Sequence, residues 1–238
     1  MMRQAHSRST KRADFSEIAP RYANEIDNAI AFSGLKADFF TRAKALLLME
    51  EAAAHFGPAS RVRALDVGCG IASIHGELDP ERFALTGVDV AEGALAQGRK
   101  RSSTTSFVCY DGRQLPFRDG EFDMSFTICV LHHISLRDRD RFLREMRRVT
   151  RKGGMLVIIE HNPYNPLTRL AVLRCPFDED AVLLLSAEVR RRLAETGPCA
   201  LRTRYFELLP FFNAAARWLE RKTSGLPLGA QYSVVATV

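Results

Sequence analysis

The sequence lacks any run of about 18 apolar residues, the length that a membrane-spanning helix requires. It also lacks a CxxC pair, and its five cysteines are scattered at positions 69, 109, 129, 175 and 199. An odd number of cysteines without metal-ligand spacing argues against a disulfide framework or a zinc site. We therefore predict reduced thiols, no bound metal and a cytoplasmic location. No apolar core of about 7–15 residues follows the basic start of the chain, which argues against a secretory signal.

Strong basic charge is absent from most of the chain. The net charge is +6, but residues 1–12 carry four basic residues and no acidic one, which leaves +2 for the remaining 226 residues. We predict a disordered basic tail at 1–12 and no nucleic-acid partner, because nucleic-acid binding usually requires a basic stripe. A second basic run, 137–152, has eight Lys or Arg against three acids. We interpret it as a solvated helix face, with recruitment of an anionic or carrier-bound substrate as the alternative.

Apolar segments typical of strands alternate with helical patterns from residue 62 onwards. Strands are predicted at 62–67, 83–90, 105–110, 122–130, 154–160, 201–209 and 231–238. Helices are predicted at 22–33, 36–56, 138–150 and 186–195, and from about 72 and about 92. Near-continuous apolar strands separated by helices indicate a parallel sheet that is covered on both faces. The last two strands need no crossover helix between them, so we predict that they pair antiparallel.

The first predicted strand ends in LDVGCG, residues 65–70, with two glycines at its carboxyl end. Ligands of open α/β sheets bind at that edge, where glycines allow a tight turn and the next helix offers free N–H groups. Asp89 ends the second strand nineteen residues after Gly70, where a carboxylate can accept both hydroxyls of a ribose. Ser73 stands where a dinucleotide fingerprint has its third glycine, which argues against a nicotinamide cofactor.

Four segments between residues 62 and 160 resemble the motifs of class I S-adenosylmethionine-dependent methyltransferases. They are LDVGCGIA, GVDVAEGAL, the run 111–134 and the run 143–160. Ala72 replaces the third glycine that is usual in the first motif. The resemblance implies an α/β, Rossmann-like, seven-stranded and mostly parallel sheet with a C-terminal antiparallel hairpin and helices on both faces. It also implies that S-adenosyl-L-methionine is the cofactor and that its methyl group goes to a small-molecule oxygen, nitrogen or carbon nucleophile.

The resemblance further implies which residues bind the cofactor. The matching positions are Asp66, Gly68, Cys69, Gly70, Asp89, Val90, Asp111, Gly112 and Ile128. In the family's arrangement the glycine loop passes beneath the methionine part of the cofactor. Asp89 holds the ribose hydroxyls, and Val90 lies against the adenine. Asp111 meets the adenine amino group beside Gly112, and the main chain near Ile128 accepts from the α-amino group.

One methyltransferase domain is expected to span residues 13–238. The N-terminal helices, about 22–56, would form a lid over the site. Segments at about 161–185 and about 210–229 interrupt the alternation of strands and helices, so we expect them to be insertions on the substrate side.

Histidines follow two of the central strands at the expected active edge. His133 comes after the fourth strand and His161 ends the fifth, and we predict both as catalytic because histidine is the commonest general base. Hydrogen bonds that only stabilise the loops are the alternative. The adjacent acids 178–180 are predicted to form a solvated turn. Two other functions stay open: a nicotinamide-dependent oxidoreductase, and a regulatory protein that binds S-adenosylmethionine without catalysis.

Overall fold

The computed structural model describes residues 21–197, 199–211 and 213–238, so the predicted tail at 1–12 lies outside the described residues. The strands of the described part are β1 Val62–Val67, β2 Phe83–Asp89, β3 Ser106–Cys109, β4 Phe122–Ile128, β5 Thr150–His161, β6 Ala200–Phe206 and β7 Gln231–Thr237. They form one sheet in the order β3-β2-β1-β4-β5-β7-β6. Strands β1 to β5 pair in parallel, whereas β7 pairs antiparallel with both β5 and β6. The predicted sheet is confirmed.

Helices flank these strands along the described chain. Their bounds are α1 Tyr22–Ile30, α2 Ala37–Phe56, α3 Glu92–Arg101, α4 Arg139–Val149, α5 Pro166–Arg174, α6 Ser186–Glu195 and α7 Ala214–Thr223. The first helix ends earlier than predicted because the chain tightens into a 3-10 turn at Ala31–Ser33. Helix α2 follows the predicted bounds closely and stops at a glycine, Gly57, whose φ is +94°.

Both faces of the sheet are covered, as predicted. On one face, α4 and α6 pack against alternate strand residues through Leu143, Met146 and Leu193. On the other face, α2 packs through Leu48 and other buried residues. Neighbouring residues of a strand point to opposite faces, so β1 contributes to both clusters. The carboxyl ends of the parallel strands are left to form the site.

The helix predicted from about residue 72 is wrong. The chain after β1 makes turns and one 3-10 turn, His75–Glu77, before β2 begins. Ala72 has a left-handed backbone with φ +58°, which a right-handed helix does not accommodate. The side chain of His75 is also drawn inward to Asp66, which holds the segment against β1. The described chain therefore has no α-helix N-terminus at this point.

Helices α5 and α7 lie in the two segments predicted as insertions. Helix α7 connects β6 to β7, but these strands pair antiparallel as predicted, so α7 is not a crossover helix. Both helices have few buried residues: Thr168 and Val172 in α5, and Ala216 in α7. They consequently lack the wide apolar stripe by which a helix is recognised. Each of these helices begins at an asparagine N-cap: the side chains of Asn165 and Asn213 accept hydrogen bonds from backbone N–H groups of the first turn.

Residues 176–185, here named the strap, cross the carboxyl edge near β4 and β7. Val182 N donates to His132 O at 3.0 Å, and Tyr232 Oη donates to Leu184 O at 2.8 Å. Arg139, at the start of α4, donates from Nη2 to Val182 O at 2.9 Å and is only 1% exposed. The predicted solvated basic face is therefore wrong at Arg139, whose charge is used inside the protein to hold the strap.

Candidate functional site

The glycine loop after β1 makes the tight turn that its sequence predicts. Gly68 and Gly70 have φ values of +80° and +52°. The backbone N–H groups of Gly68 and Cys69 both donate to Val88 O, at 2.7 and 3.1 Å, and fix the loop to β2. A Cβ on Gly70 would meet nothing within 4 Å, so the loop presents open backbone surface. Burial raises the pKa of the Cys69 thiol, which makes this residue a neutral filler and a poor nucleophile.

Asp89, the last residue of β2, ties that strand to the glycine loop. Its Oδ2 accepts from Gly70 N at 2.8 Å, and its Oδ1 accepts from Ala91 N at 2.9 Å. Burial raises the pKa of Asp89, and the two backbone donors oppose that shift. Each carboxylate oxygen has a second acceptor position, so Asp89 can still accept from two hydroxyls. The ribose-binding role stays a prediction.

Asp66 lies beneath the loop. It is 3% exposed, and its Oδ2 accepts from His75 Nε2 at 2.9 Å. The His75 ring is stacked on Phe107 with 5.7 Å between ring centroids. Asp66 is one of the predicted cofactor-binding residues. Because it is buried beneath the glycine loop, it would affect the cofactor by supporting that loop. Sequence reasoning missed His75, because no motif or apolar pattern marks that position.

The residues predicted to surround the adenine lie together beyond Asp89. Val90 is 48% exposed, and its Cγ1 lies 3.1 Å from the position of a Cβ on Gly112. Asp111 Oδ1 accepts from the backbone N–H groups of Arg113 and Gln114, at 2.8 and 3.2 Å. These bonds lower the pKa of Asp111. The side chain is therefore ionised and exposed beside Val90.

Ile128 ends β4 on the other side of the glycine loop. The next residue, Cys129, has φ +54°, and its N–H donates to Ile159 O at 2.8 Å. This left-handed residue turns the chain sharply out of the strand. The main chain predicted to accept from the cofactor's α-amino group lies at this turn.

A cluster of histidines and carboxylates follows β4, and we name it the histidine cluster: His132, His133, His161, Glu160 and Asp178. His132 Nδ1 donates to Glu160 Oε2 at 2.6 Å, and both side chains are 1% exposed. The ring centroids of His132 and His133 are 4.1 Å apart, and those of His132 and His161 are 5.3 Å apart. The two predicted catalytic histidines are thus brought together around a third, buried histidine.

Asp178 enters the cluster from the strap. Its Oδ1 lies 3.3 Å from His132 Nε2 and 3.4 Å from His133 Nε2, and its side chain is 11% exposed. The prediction of a solvated turn is therefore wrong for Asp178, although Glu179 and Asp180 are exposed. The sequence gives no sign of this contact, because it joins segments 45 residues apart through the fold of the strap.

The charges of the cluster oppose one another. Burial alone would lower the pKa of His132, but the Glu160 and Asp178 carboxylates outweigh it and raise that pKa to about 9. Burial lowers the pKa of His133 and of His161 to about 4, and the charge on His132 adds to both shifts. His132 therefore carries the positive charge between two carboxylates, while its two neighbours are neutral imidazoles.

Sequence reasoning missed two polar residues near this edge. Gln231, the first residue of β7, donates from Nε2 to Cys129 Sγ at 3.6 Å and to His161 Nδ1 at 3.4 Å. Glu207 follows β6 and is 8% exposed, and neither of its carboxylate oxygens has a hydrogen-bond partner within the described chain. Burial raises the pKa of Glu207 to about 8. Neither residue belongs to a motif, so only the fold identifies them.

No helix in the described ranges is long and apolar enough to cross a membrane.

The sequence profile described as "Methyltransferase domain" matches residues 65–158, which span β1 to β5 with the glycine loop, Asp89 and the His132–His133 turn.

Curated relatives match part of the chain. A demethylmenaquinone methyltransferase of Beutenbergia cavernae is 34% identical over 110 residues, which are 45% of each protein. An ajmaline N-methyltransferase of Rauvolfia serpentina is 35% identical over 111 residues, which are 41% of this chain and 35% of the relative. The chain thus spans less than half the length of these relatives.

Solved structures match the fold over almost the whole chain. An S-adenosylmethionine-dependent methyltransferase from Thermotoga maritima has a TM-score of 0.64 at 15% identity, covering 94% of this chain and 97% of that one. At this identity the likeness shows the fold, whereas the family rests on the matched motifs. The strand order, the glycine loop and these matches agree: residues 65–158 match a methyltransferase-domain family, and the fold is that of an S-adenosylmethionine-dependent methyltransferase.

Proposed function

We propose that this protein transfers the methyl group of S-adenosyl-L-methionine to a small-molecule acceptor. One observation carries the proposal: the loop anchored by Asp89 and the histidine cluster lie at the same edge, after the neighbouring strands β1 and β4. A cofactor held on the loop would present its reactive end to the cluster. Both halves of a methyl-transfer site are thus supplied by one edge of the sheet.

The described residues fit the cofactor. S-adenosyl-L-methionine supplies a methyl group that is already activated on a sulfonium sulfur. The open backbone at Gly70 leaves room for a bound group, and Asp89 retains acceptor positions for ribose hydroxyls. The exposed Val90 offers apolar surface to an adenine, and the ionised Asp111 can accept from its amino group.

His133 and His161 remain the proposed acceptor-side residues. The His133 side chain is 27% exposed, so an acceptor can reach it. His161 contacts Gln231, the first residue of β7, and would therefore meet an acceptor beside that strand. The chain's task is to align a nucleophile with the methyl group and to exclude water. Alignment of this kind supplies roughly 7–11 kcal/mol of a reaction barrier.

A small acceptor is supported by the charges of the described chain. Arg148 pairs with Glu145 and Asp119, and Arg151 pairs with Asp123, so part of the basic run 137–152 is neutralised within the protein. The run is therefore less basic as a surface than its sequence indicates, which favours a small acceptor over nucleic acid or an anionic carrier. The curated relatives are named for methyl transfer to demethylmenaquinone and ajmaline, both small molecules, which supports the same class here.

The domain organisation belongs to the same proposal. Residues 13–238 form one domain, about 22–56 close over the cofactor, and about 161–185 and 210–229 form the substrate side. The position of Asp178 supports the substrate-side assignment of 161–185, because the strap brings this carboxylate to within 3.4 Å of His133.

Titration calorimetry with S-adenosylhomocysteine tests the cofactor site. We expect Asp89→Ala to weaken binding at least tenfold, because it removes the ribose acceptor and the anchor of the glycine loop. Asp79→Ala, at an exposed position before the other end of β2, should bind like the wild type. Equal affinity in both variants would contradict the ribose role, and binding of NADH in place of S-adenosylhomocysteine would favour an oxidoreductase.

Labelled S-adenosylmethionine with a fractionated cell extract tests the reaction itself. We expect one small-molecule fraction to gain label, with mass spectrometry identifying the acceptor. Binding of S-adenosylhomocysteine without transfer to any fraction would favour the non-catalytic regulatory protein.

A further inference from the structure

Three potential metal ligands converge in the histidine cluster. One ring nitrogen of His132, one ring nitrogen of His133 and one Asp178 carboxylate oxygen lie within 4.8 Å of one another. Two of these residues are adjacent in the 3-10 turn after β4, and the third comes from the strap. Two histidines and one carboxylate are a donor set that divalent transition metals favour.

The separations between the donor atoms suit a tetrahedral metal ion. Bonds of about 2.0–2.2 Å to nitrogen and oxygen place neighbouring ligand atoms roughly 3.3–3.5 Å apart in a tetrahedral zinc site. Asp178 Oδ1 is 3.3 Å from His132 Nε2 and 3.4 Å from His133 Nε2. The carboxylate oxygen is thus at the right distance from both imidazoles before any ion is added.

The buried side chain of His132 supplies an independent observation. Its residue is 2% exposed, and within the described chain its Nε2 faces the Asp178 carboxylate oxygen at 3.3 Å without well-formed hydrogen-bond geometry. Its other nitrogen, Nδ1, is held by Glu160, whose second oxygen accepts from Leu131 N at 2.7 Å. A carboxylate that fixes the far nitrogen of a histidine is the usual support for a metal-binding imidazole.

The surroundings hold these ligands in place. Val182 N–H donates to the carbonyl of His132, and Arg139 donates to the carbonyl of Val182. The strap that carries Asp178 is therefore tied to the turn that carries the two histidines. Preorganisation of this kind lowers the cost of ordering ligands around an ion.

From this geometry we propose that His132, His133 and Asp178 bind one divalent transition-metal ion of the zinc class, which displaces the proton on His132 Nε2 to solvent, with Glu160 as the supporting carboxylate. Three protein ligands leave a position for an exogenous oxygen, as in catalytic zinc sites. A hydroxyl bound there is a stronger acid. The use of the ion on an acceptor rests on the proposed methyl transfer, but metal binding does not. The site departs from the prediction of no metal, which considered cysteines and adjacent acids.

Calorimetry with Zn²⁺ on the full chain, stripped with a chelator and desalted, tests the site. We expect about one ion per chain, and at least a hundredfold weaker binding in His133→Ala and Asp178→Asn. Glu160→Gln should weaken binding about 10–100-fold, because it removes only the supporting carboxylate. Co²⁺ should give the visible absorption of a four-coordinate site in the wild type but not in His133→Ala or Asp178→Asn.

Two variants serve as matched controls. His55→Ala removes a histidine near the opposite edge of the sheet, where it contacts Gly153 O, and Asp180→Asn removes an exposed acid two residues from Asp178. Both should bind Zn²⁺ like the wild type. Absence of wild-type binding, or equal binding by Asp178→Asn, would overturn the metal site.

S-adenosylhomocysteine binding, measured on the same samples, separates the two proposals. Retained binding in His133→Ala and Asp178→Asn shows that these variants are folded. Zinc binding without S-adenosylhomocysteine binding would support the metal site and reject the proposed function. The reverse would reject the metal site and leave the cluster as a hydrogen-bonded group facing the acceptor.

Discussion

Val130 packs directly against the backbone of Gly68. A Cβ on Gly68 would lie 2.6 Å from Val130 Cγ2 and 2.9 Å from Val130 Cγ1. Gly68 also has φ +80°, where an L-residue is strained by about 1–2 kcal/mol. We expect Gly68→Ala to lower the free energy of unfolding by about 2–3 kcal/mol and to weaken S-adenosylhomocysteine binding. Chemical denaturation and calorimetry measure the two effects.

A second substitution separates strain from collision at this position. The double variant Gly68→Ala/Val130→Ala removes the collision but keeps the unfavourable φ. We expect Gly68→Ala to reduce S-adenosylhomocysteine affinity less in the Val130→Ala protein than in the wild type. An equal reduction in both proteins would show that Val130 is not the obstacle.

Ala72 and Ala94 form a natural pair for testing backbone strain. Both are buried, at 2% and 1% exposure, but Ala72 has φ +58° and Ala94 lies inside α3. Ala94→Gly should cost about 1 kcal/mol of unfolding free energy or more, because glycine is a poor helix former. Ala72→Gly should cost clearly less or be stabilising, because it relieves a left-handed alanine. Equal losses in thermal and chemical denaturation would contradict the strained turn.

Glu207 should make the stability of the protein depend on pH. Its pKa is raised by burial to about 8, so the folded state holds a proton that the unfolded state releases near 4.5. Stability from this group is complete below the unfolded pKa and is lost as the pH rises from about 4.5 to about 8. Relative to wild type, Glu207→Gln should gain stability at pH 8 but not at pH 4.5, measured by urea denaturation. The exposed Glu179→Gln is the control, and parallel curves for all three proteins would refute this origin.

Arg139 should be important for stability although it lies in a basic, charged helix. Its guanidinium donates to Ile134 O at 3.1 Å and to Val182 O at 2.9 Å, and it is 1% exposed. Arg139→Ala should lower the unfolding free energy by about 3 kcal/mol, because it leaves buried carbonyls without donors. Arg141→Ala, which removes an exposed ion pair with Asp138, should cost no more than about 0.5 kcal/mol. Similar losses would contradict the role of Arg139 at the strap.

The parallel strands and the cofactor loop were predictable because their signals are local. Strand β1 follows the predicted bounds, 62–67, and the glycines at 68 and 70 adopt the left-handed backbone expected of them. Buried strands have continuous apolar runs, and a tight turn at a strand end needs glycine whatever surrounds it. These features therefore appear in a single segment of sequence.

The histidine cluster could not be predicted in the same way, because its contacts join distant segments. Glu160 ends a buried strand, and only the fold shows that it holds His132. Asp178 follows a proline-rich stretch with two exposed acids beside it, a pattern typical of solvent-facing turns. Its burial depends on the strap, whose hydrogen bonds to α4 and β7 leave no periodic signal. The missing helix after β1 has the same cause, since the burial of His75 against Asp66 overrides helix propensity.

The strap's attachment to the sheet has a consequence for how such an enzyme can diversify. The strap is attached at Val182 and Leu184 through main-chain carbonyls and an N–H group, whose bonding is indifferent to side-chain identity, whereas the side chains of Phe177, Asp178 and Leu184 are buried or belong to the histidine cluster. Mutations at its exposed side chains, Glu179, Asp180 and Val182, can therefore accumulate and change the surface beside the cluster while the path of the segment is maintained. Selectivity and cofactor affinity are then free to evolve at separate rates within one continuous chain.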